Sequence, residues 1–129
     1  SENFNIKKED FKRKLKPVYE SMRFLSDQLK GRNKSLIGFV GAPWTLLVYM
    51  LNQKSPKKVS SDDFLLDKSK VNKLLDMLIE YIKIHIEEQV KSGATIIQIF
   101  DSWAGLVKDK DLDKYIYEPT KKVVQFTQS

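Results

Sequence analysis

The chain of 129 residues contains no cysteine and only one histidine, His85. Without cysteine, these residues cannot form a disulfide framework or a thiolate metal site. His85 has no partner at metal-ligand spacing, so we do not expect it to hold a metal. The sequence also lacks a glycine-rich phosphate loop, a G-x-S-x-G nucleophile elbow and an H-E-x-x-H zinc motif. These absences exclude several common kinds of catalytic site within this sequence.

Long hydrophobic runs are also missing. The longest apolar stretches, such as residues 44–51, are far shorter than the ~20 residues that a membrane-spanning helix needs. The sequence does not contain the charged segment followed by an apolar segment that directs export. We therefore expect a cytoplasmic protein without a membrane partner. Hydrophobic residues make up 41% of the sequence, which predicts a globular protein with a buried core.

The excess of positive charge is confined to one segment. Of the net charge of +6, residues 1–34 contribute +5, with ten Lys and Arg residues against five Asp and Glu residues. Three aromatic residues of this segment, Phe11, Tyr19 and Phe24, fall at apolar helical spacing and are assigned to a core rather than to base stacking. A solvated helix face is therefore the preferred interpretation. A small basic domain that binds nucleic acid is the alternative from another functional class.

The first helix is predicted over residues 11–29, where apolar residues recur at helical spacing. Pro17 either kinks this helix or lies in the first turn of a second one, where its missing N–H costs nothing. Gly31 follows as a stop signal. The apolar face consists of Phe11, Leu15, Val18, Met22, Leu25 and Leu29.

Two short apolar runs predict buried strands. Residues 36–40 show no polar alternation, as expected for a strand covered on both faces, and residues 95–100 are β-branched and mostly apolar. Because helical patterns separate the two runs, we expect a right-handed parallel β-α-β crossover. Two strands leave both edges of a sheet unpaired. The chain is therefore expected either to associate with something that completes the sheet or to be a piece of a larger protein.

Three further helices are predicted after the first strand. One covers residues 44–51, a strongly amphipathic one covers 71–90 and ends before Gly93, and the last runs from about 111 to 126. Pro119 limits how regular the last helix is. Between the first two of these helices, residues 52–61 predict a polar surface connection, and Asp62 or Asp63 a helix cap.

Two loops, residues 41–45 and 101–105, follow the predicted strands. Functional groups gather at the carboxyl ends of parallel strands, and each loop combines small residues with a tryptophan and a hydroxyl. The loops could form the wall of a ligand site. Equally, their glycines could make tight turns while their tryptophans close the end of the core. Asp101, directly after the second strand, is the sharpest candidate residue, with capping of its own loop as its alternative role.

The motifs around these loops resemble one family. Residues 36–50, LIGFVGAPWTLLVYM, are similar to the signature LIGFxGAPWTLxxYM of uroporphyrinogen decarboxylases, and residues 93–105, GATIIQIFDSWAG, resemble that family's GAxxxQxFDSWAG segment. The resemblance covers about residues 17–126. The sequence departs from the family at residues 51–58, LNQKSPKK, where the family usually has a glycine-rich stretch.

The resemblance implies an α/β fold that is a partial TIM (β/α)8 barrel, with residues 1–129 as a fragment of a single barrel domain. The fragment would hold about two strand–helix units, the third and fourth, with a preceding helix. Members of the family decarboxylate the acetate side chains of uroporphyrinogen III to coproporphyrinogen III in haem biosynthesis, without cofactor or metal. The implied partners are a porphyrinogen and a second copy of the full-length enzyme, with no nucleic acid or membrane. The fragment alone is expected to be inactive.

The resemblance also assigns residues. Tyr49 matches a cleft tyrosine that contacts the substrate and the catalytic carboxylate, Ser102 matches a position that hydrogen-bonds a substrate carboxylate, and Phe39 matches a phenylalanine that lines the pocket. No catalytic residue is expected within the fragment, because the family's catalytic aspartate lies on an earlier strand; Asp101 is interpreted as structural. A corrinoid or coenzyme M methyltransferase, which shares the barrel but uses a zinc site with His and Cys ligands, is the alternative enzyme class.

Overall fold

A computed structural model describes residues 2–52 and 68–129 of the chain. The predicted cap at Asp62 or Asp63 and nearly all of the predicted surface connection lie outside these residues. The elements are helix α1 (Glu2–Leu29), strand β1 (Ile37–Gly41), helix α2 (Pro43–Asn52), helix α3 (Lys68–Lys91), strand β2 (Ile96–Phe100) and helix α4 (Glu118–Gln128). Their order is the predicted one, and it makes the chain an α/β fold.

Strands β1 and β2 form a parallel pair, as predicted, with Ile37 opposite Ile96 and Gly41 opposite Phe100. The ladder continues beyond both ends: the Thr95 N–H donates to the Leu36 carbonyl, and the Ala42 N–H donates to the Phe100 carbonyl. In a parallel strand, alternate residues bond to the same neighbour. The even-numbered residues of β1 therefore bond to β2, and the N–H and C=O groups of the odd-numbered residues point to the free edge.

One face of this sheet is packed against helices. Val40 of β1 is buried in a cluster with Ile82 of α3 and Val123 of α4, and Ile97 and Ile99 of β2 pack against the same cluster. A second cluster lies beyond the carboxyl ends of the strands and joins α2, α3 and the segment before α4. Its buried members are Trp44, Leu47, Val48, Val71, Leu75, Val107, Tyr115 and Ile116.

The other face of the sheet is open, so the expectation that the first strand is covered on both faces is wrong for this chain. Phe39 is 65% exposed and Ile37 57% exposed, while Ile96 and Phe100 of β2 are each 50% exposed. Successive side chains of a strand point to opposite faces, and the clusters formed by the described residues take up only one of them. The apolar runs therefore predicted the strands, but they do not show which part of the protein would cover the second face of the sheet.

Helix α1 is one continuous helix with Pro17 inside it, so the structure decides between the two interpretations of this proline. The assignment of Tyr19 to a core is confirmed, because Tyr19 is buried. The predicted apolar face is only partly correct, because Val18 and Leu25 are exposed. Phe24, assigned to a core from its spacing, is 64% exposed, and that assignment is wrong. The helix contacts α3 through aromatic residues, and this pairing fixes its rotation. Gly31, at φ +75°, follows its end as predicted.

The last helix starts later than the sequence indicates. Two short 3-10 turns, at Ala104–Leu106 and Asp109–Asp111, and a π-helical segment at Asp113–Tyr117 precede α4. Pro119 lies in the first turn of α4. Because proline has no N–H to donate to the carbonyl four residues earlier, the turn before it widens and regular α-helix follows.

Among the described residues, no helix is both long enough and apolar enough to cross a bilayer.

Candidate functional site

The candidate site is the open face of the sheet together with the loops at the carboxyl ends of β1 and β2. The open face carries two phenylalanines, two isoleucines and one amide: Phe39, Phe100, Ile37, Ile96 and Gln98. Parallel α/β folds place ligands at this end of their strands because the loops there vary freely. The surface is apolar across the strands and becomes polar where the strands end.

The two loops are joined by a hydrogen-bond network centred on Thr45. The Thr45 hydroxyl donates to Oδ1 of Asp101 at 2.6 Å, and its oxygen accepts from the backbone N–H of Trp103 at 3.1 Å. The indole N–H of Trp44 donates to the Trp103 carbonyl at 3.0 Å. Thr45 is buried, so these bonds are shielded from water and hold the second loop against the start of α2. Asp101 thus binds the two loops together.

The Asp101 carboxyl lies in a partly dry environment. Burial raises its pKa above the usual 3.8, and hydrogen bonds from the side chain and backbone of Thr45 act in the opposite direction. Its second oxygen, Oδ2, is buried without a hydrogen-bond partner in the described part of the chain. The other oxygen, Oδ1, bonds to Thr45 and so joins the two loops, which supports a structural role.

The two tryptophans have different roles. Trp44 is fully buried and packs on Tyr115, with ring centroids 5.7 Å apart, so its loop seals the core rather than forming a ligand wall. Trp103 packs against the same core from its edge and meets Tyr49 in an edge-to-face contact at 6.1 Å. Trp103 is therefore the support on which Tyr49 rests.

The three residues predicted to contact substrate all lie at this site. Phe39 projects from β1 onto the open face and meets Phe100 edge to face, with centroids 6.0 Å apart and planes at 78°. Tyr49, on α2, is 48% exposed, and Ser102 is exposed in the loop after β2. Phe39 and Tyr49 contact different partners, Phe100 and Trp103, which stand on either side of Ser102 in the sequence. Their assignment to substrate stays a prediction.

Two glutamines belong to this region and were missed by the sequence analysis. Gln98 lies on the open face opposite Phe39 in the strand register, and its amide donates to the Ile99 carbonyl. Gln89, on α3, is buried and hydrogen-bonded to the backbone of Phe39. Gln98 could have been found from its place inside an apolar strand. Gln89 could not, because a polar residue near the end of an amphipathic helix gives no signal of a distant partner.

His85 is used in a helix contact. Its Nδ1 lies 2.9 Å from the hydroxyl of Tyr19, and burial lowers the pKa of the imidazole below 6.5. The neutral ring accepts the hydrogen bond from the phenol, whose pKa burial and the charge of Glu88 raise to about 12. In the described ranges, 2–52 and 68–129, no group of three or more His, Asp or Glu residues is placed to hold a metal.

The basic charge of α1 is largely offset by neighbouring acids. Lys12 pairs with Glu9 and with Glu88 of α3, and Lys14 pairs with Asp10. A groove of about 350 Å³ between α1 and α3 is lined by four basic residues and three acidic ones, together with Tyr19 and Ser92. Such mixed charge does not form the continuous positive stripe that nucleic-acid binding favours.

Comparison with known proteins gives one family. The model of the uroporphyrinogen decarboxylase (URO-D) family matches residues 2–129. A uroporphyrinogen decarboxylase of Rickettsia bellii is 38% identical over 126 residues, covering 96% of this chain and 37% of the relative. One from Paracoccus denitrificans is 36% identical over 112 residues, covering 85% of this chain and 32% of the relative. The chain thus spans about a third of the length of the curated relatives it matches.

Proposed function

The chain belongs to the uroporphyrinogen decarboxylase family, and on that basis we propose that it is part of an enzyme that decarboxylates uroporphyrinogen III. The product is coproporphyrinogen III, formed by loss of carbon dioxide from the acetate side chains. The names of the relatives favour this function over the methyltransferase alternative. We further propose that the enzyme acts in the cytoplasm as a homodimer and without a nucleic-acid partner.

The proposal includes the architecture of the whole enzyme. Both edges of the β1–β2 pair lack a further strand among the described residues, and a sheet of two parallel strands is not stable by itself. Additional strands on both sides, with their helices, would complete a (β/α)8 barrel, and a barrel of this kind needs ~200 residues or more. The open face of the sheet would then line the inside of that barrel.

The observation that carries the function is the apolar open face bordered by hydroxyl groups. Phe39 and Phe100 form an aromatic corner, with their rings edge to face, which suits apolar contact with the pyrrole rings and methylene bridges of a porphyrinogen. Tyr49 and Ser102 stand at the carboxyl edge, where the charged side chains of the macrocycle would extend. A ligand with an apolar centre and an anionic rim matches this distribution of side chains.

The chemistry assigns a separate role to each part. Decarboxylation leaves an electron pair that a protonated pyrrole ring accepts, so groups that position the acetate and stabilise the cationic ring lower the barrier. In this proposal the hydroxyls of Tyr49 and Ser102 hydrogen-bond the substrate carboxylates. The aromatic wall of Phe39 and Phe100 removes water from the departing carboxylate. The aspartate that stabilises the macrocycle is supplied by a strand outside this chain.

The test is an assay of coproporphyrinogen formation by the full-length enzyme that contains this chain. We expect Tyr49→Phe to lower kcat/KM by about tenfold to a hundredfold, as expected for removal of one hydrogen bond to a charged substrate. Tyr117→Phe is the matched control, because Tyr117 is exposed on the segment before α4. No decarboxylation by the intact wild type would overturn the function. Equal activity of Tyr49→Phe and wild type would overturn the assignment of Tyr49 alone.

A further inference from the structure

Gln89 makes a double hydrogen bond to the backbone of one residue, Phe39. Its Oε1 accepts from the Phe39 N–H at 3.0 Å, and its Nε2 donates to the Phe39 carbonyl at 3.0 Å. The glutamine is 3% exposed. Both polar atoms of this buried amide therefore bond to a single residue of β1, fifty positions away in the sequence.

The bonded groups of Phe39 point to the free edge of β1, because the even-numbered residues of this strand bond to β2. A carboxamide has the same donor and acceptor as a peptide group. Gln89 thus occupies the place that a peptide group of a neighbouring strand would take. It closes the edge of the sheet at Phe39 and at no other residue of β1.

The surroundings of the amide are shaped to hold it. A Cβ at Gly38 would lie 2.6 Å from the Gln89 Oε1 and 2.9 Å from Ile97 Cδ1, so a larger residue at this position would displace the amide from its bonded place. On the helix side, the Gln89 carbonyl accepts N–H groups from Ser92 and Ala94 at the turn that ends α3. Both ends of the glutamine are fixed, and its side chain has little freedom to leave.

The held backbone carries the most exposed side chain of β1. The Phe39 ring is 65% exposed on the open face and contacts only the edge of Phe100 among the aromatic rings of the described residues. A ring with so little packing takes its direction from its backbone. The two bonds from Gln89 fix that backbone from the edge, where they leave the open face free for a ligand.

We propose that Gln89 is a positioning residue for substrate: it fixes Phe39 through both backbone groups and so sets where the phenyl ring meets the macrocycle. This inference rests on the proposed function. It also has a structural consequence for the complete barrel. A strand lying along the free edge of β1 bonds to Ile37 and Gly41 but not to Phe39.

The decisive variant is Gln89→Glu in the full-length enzyme that contains this chain. A protonated carboxyl group both donates and accepts, so it reproduces the amide bonds, whereas the ionised group has lost its donor and repels the Phe39 carbonyl. Burial raises the pKa of such a group. We expect KM to match the wild type at about pH 5 and to exceed it about tenfold at about pH 8, with a smaller change in kcat.

The control is Gln125→Glu, the same substitution at an exposed glutamine of α4, which should follow the wild type at every pH. The charged and titratable groups of the contact between α1 and α3 include Lys12, Tyr19 and Arg23 of α1 and His85, Glu88 and Lys91 of α3. They are common to the wild type and both variants, so the ratio of KM values reports the group at position 89. A ratio that does not change with pH would overturn the inference.

A second measurement does not depend on activity. Gln89→Leu removes both bonds, and we expect the Phe39 amide to exchange hydrogen about tenfold faster or more relative to the Val40 amide, which bonds to β2. The measurement is made on the full-length enzyme, and amides of the α2–α3 core report whether the variant is folded. Unchanged exchange at Phe39 in a folded variant would overturn the proposed role of Gln89 even if the wild type decarboxylates. Faster exchange at Phe39 in Gln89→Leu, together with a wild type that lacks the activity, would support the two hydrogen bonds and overturn the function.

Discussion

The two faces of the β1–β2 sheet are made from the same strands and carry similar side chains, but one face is buried and the other is exposed. On the closed face, Val40 is buried with Ile82 and Val123, and removal of these groups from water stabilises the fold. On the open face, Phe39 and Phe100 are half or more exposed and contribute little packing. Apolar character alone does not separate a buried face of this sheet from an exposed one. The presence or absence of a covering helix does.

The same contrast appears along α2. At its start, Trp44 and Thr45 are buried, and their polar atoms are committed to the loop after β2. Near its end, Tyr49 is half exposed and rests on the edge of Trp103. Helix α2 thus begins with buried residues that bond to the loop after β2 and carries an exposed tyrosine near its end. Four substitutions test whether this division between support and surface holds.

The largest loss of stability is expected for Trp44→Ala. The indole is fully buried, packs on Tyr115 and bonds to the Trp103 carbonyl, so its removal should lower the free energy of unfolding by about 3–5 kcal/mol. Urea denaturation of the full-length enzyme that contains this chain, followed by circular dichroism, measures this change and the stability changes below. A loss under ~1 kcal/mol, the size typical of surface changes, would show that the tryptophan is not the anchor of the loops.

The next effect is expected for Thr45→Val, which removes the donor to Asp101 and the acceptor of the Trp103 N–H. We expect a loss of about 2 kcal/mol at neutral pH. Burial already holds the native pKa of Asp101 above 3.8, so the native state binds the proton more tightly than the unfolded state. The free energy of unfolding therefore falls as the pH rises from 3.8 through the native pKa.

Without the Thr45 hydroxyl, the pKa of Asp101 rises further, and this fall extends to higher pH. The measurement is urea denaturation of both proteins over a series of pH values. Thr127→Val is the matched control, because the Thr127 hydroxyl bonds to the Val123 carbonyl of its own helix. Parallel pH profiles for Thr45→Val and wild type would contradict the coupling between Thr45 and Asp101.

A smaller effect is expected for Tyr19→Phe, which removes the hydrogen bond to His85 and should cost about 1 kcal/mol at neutral pH. Since burial lowers the native pKa of His85, the unfolded state takes up the proton first, and wild-type stability is lost as the pH falls from 6.5 through that native pKa. Without the phenol the native pKa moves back towards 6.5, so the profile becomes shallower. Tyr117→Phe serves as the control in the same titration, and a wild-type-like slope for Tyr19→Phe would rule the bond out.

The smallest change in stability is expected for Phe39→Ala, although its residue is as large and apolar as many in the core. Because the ring is mostly exposed, we expect a loss of no more than ~1 kcal/mol by urea denaturation. The same variant should raise the KM of the enzyme about tenfold, by removing apolar contact with the substrate. A large loss of stability with unchanged KM would reverse the division between the two faces.

Much of the fold could be predicted from local patterns. The parallel strands, the amphipathic α3 and the glycine after α1 were placed correctly, since periodicity and chain stereochemistry act over a few residues. The rotation of α1 and the late start of α4 were not. Tyr19 could be assigned to a core from its spacing, but its partner, His85 of α3, could not be predicted, because no spacing within α1 contains that information.

The candidate site divides in the same way. Phe39, Tyr49 and Ser102 could be chosen from motifs, and Asp101 could be given a structural role before any geometry was known. The partner of Gln89 and the link from Thr45 to Asp101 and Trp103 came only from the structure.

By itself, the sequence determined the family, the element order and the identity of the strand-end loops, because these follow from motifs and from periodicities of two and 3.6 residues. Only the tertiary structure decided which apolar face is covered and which buried polar groups meet. Those contacts join residues some fifty positions apart, and their free energy depends on distance and burial in three dimensions rather than on order along the chain.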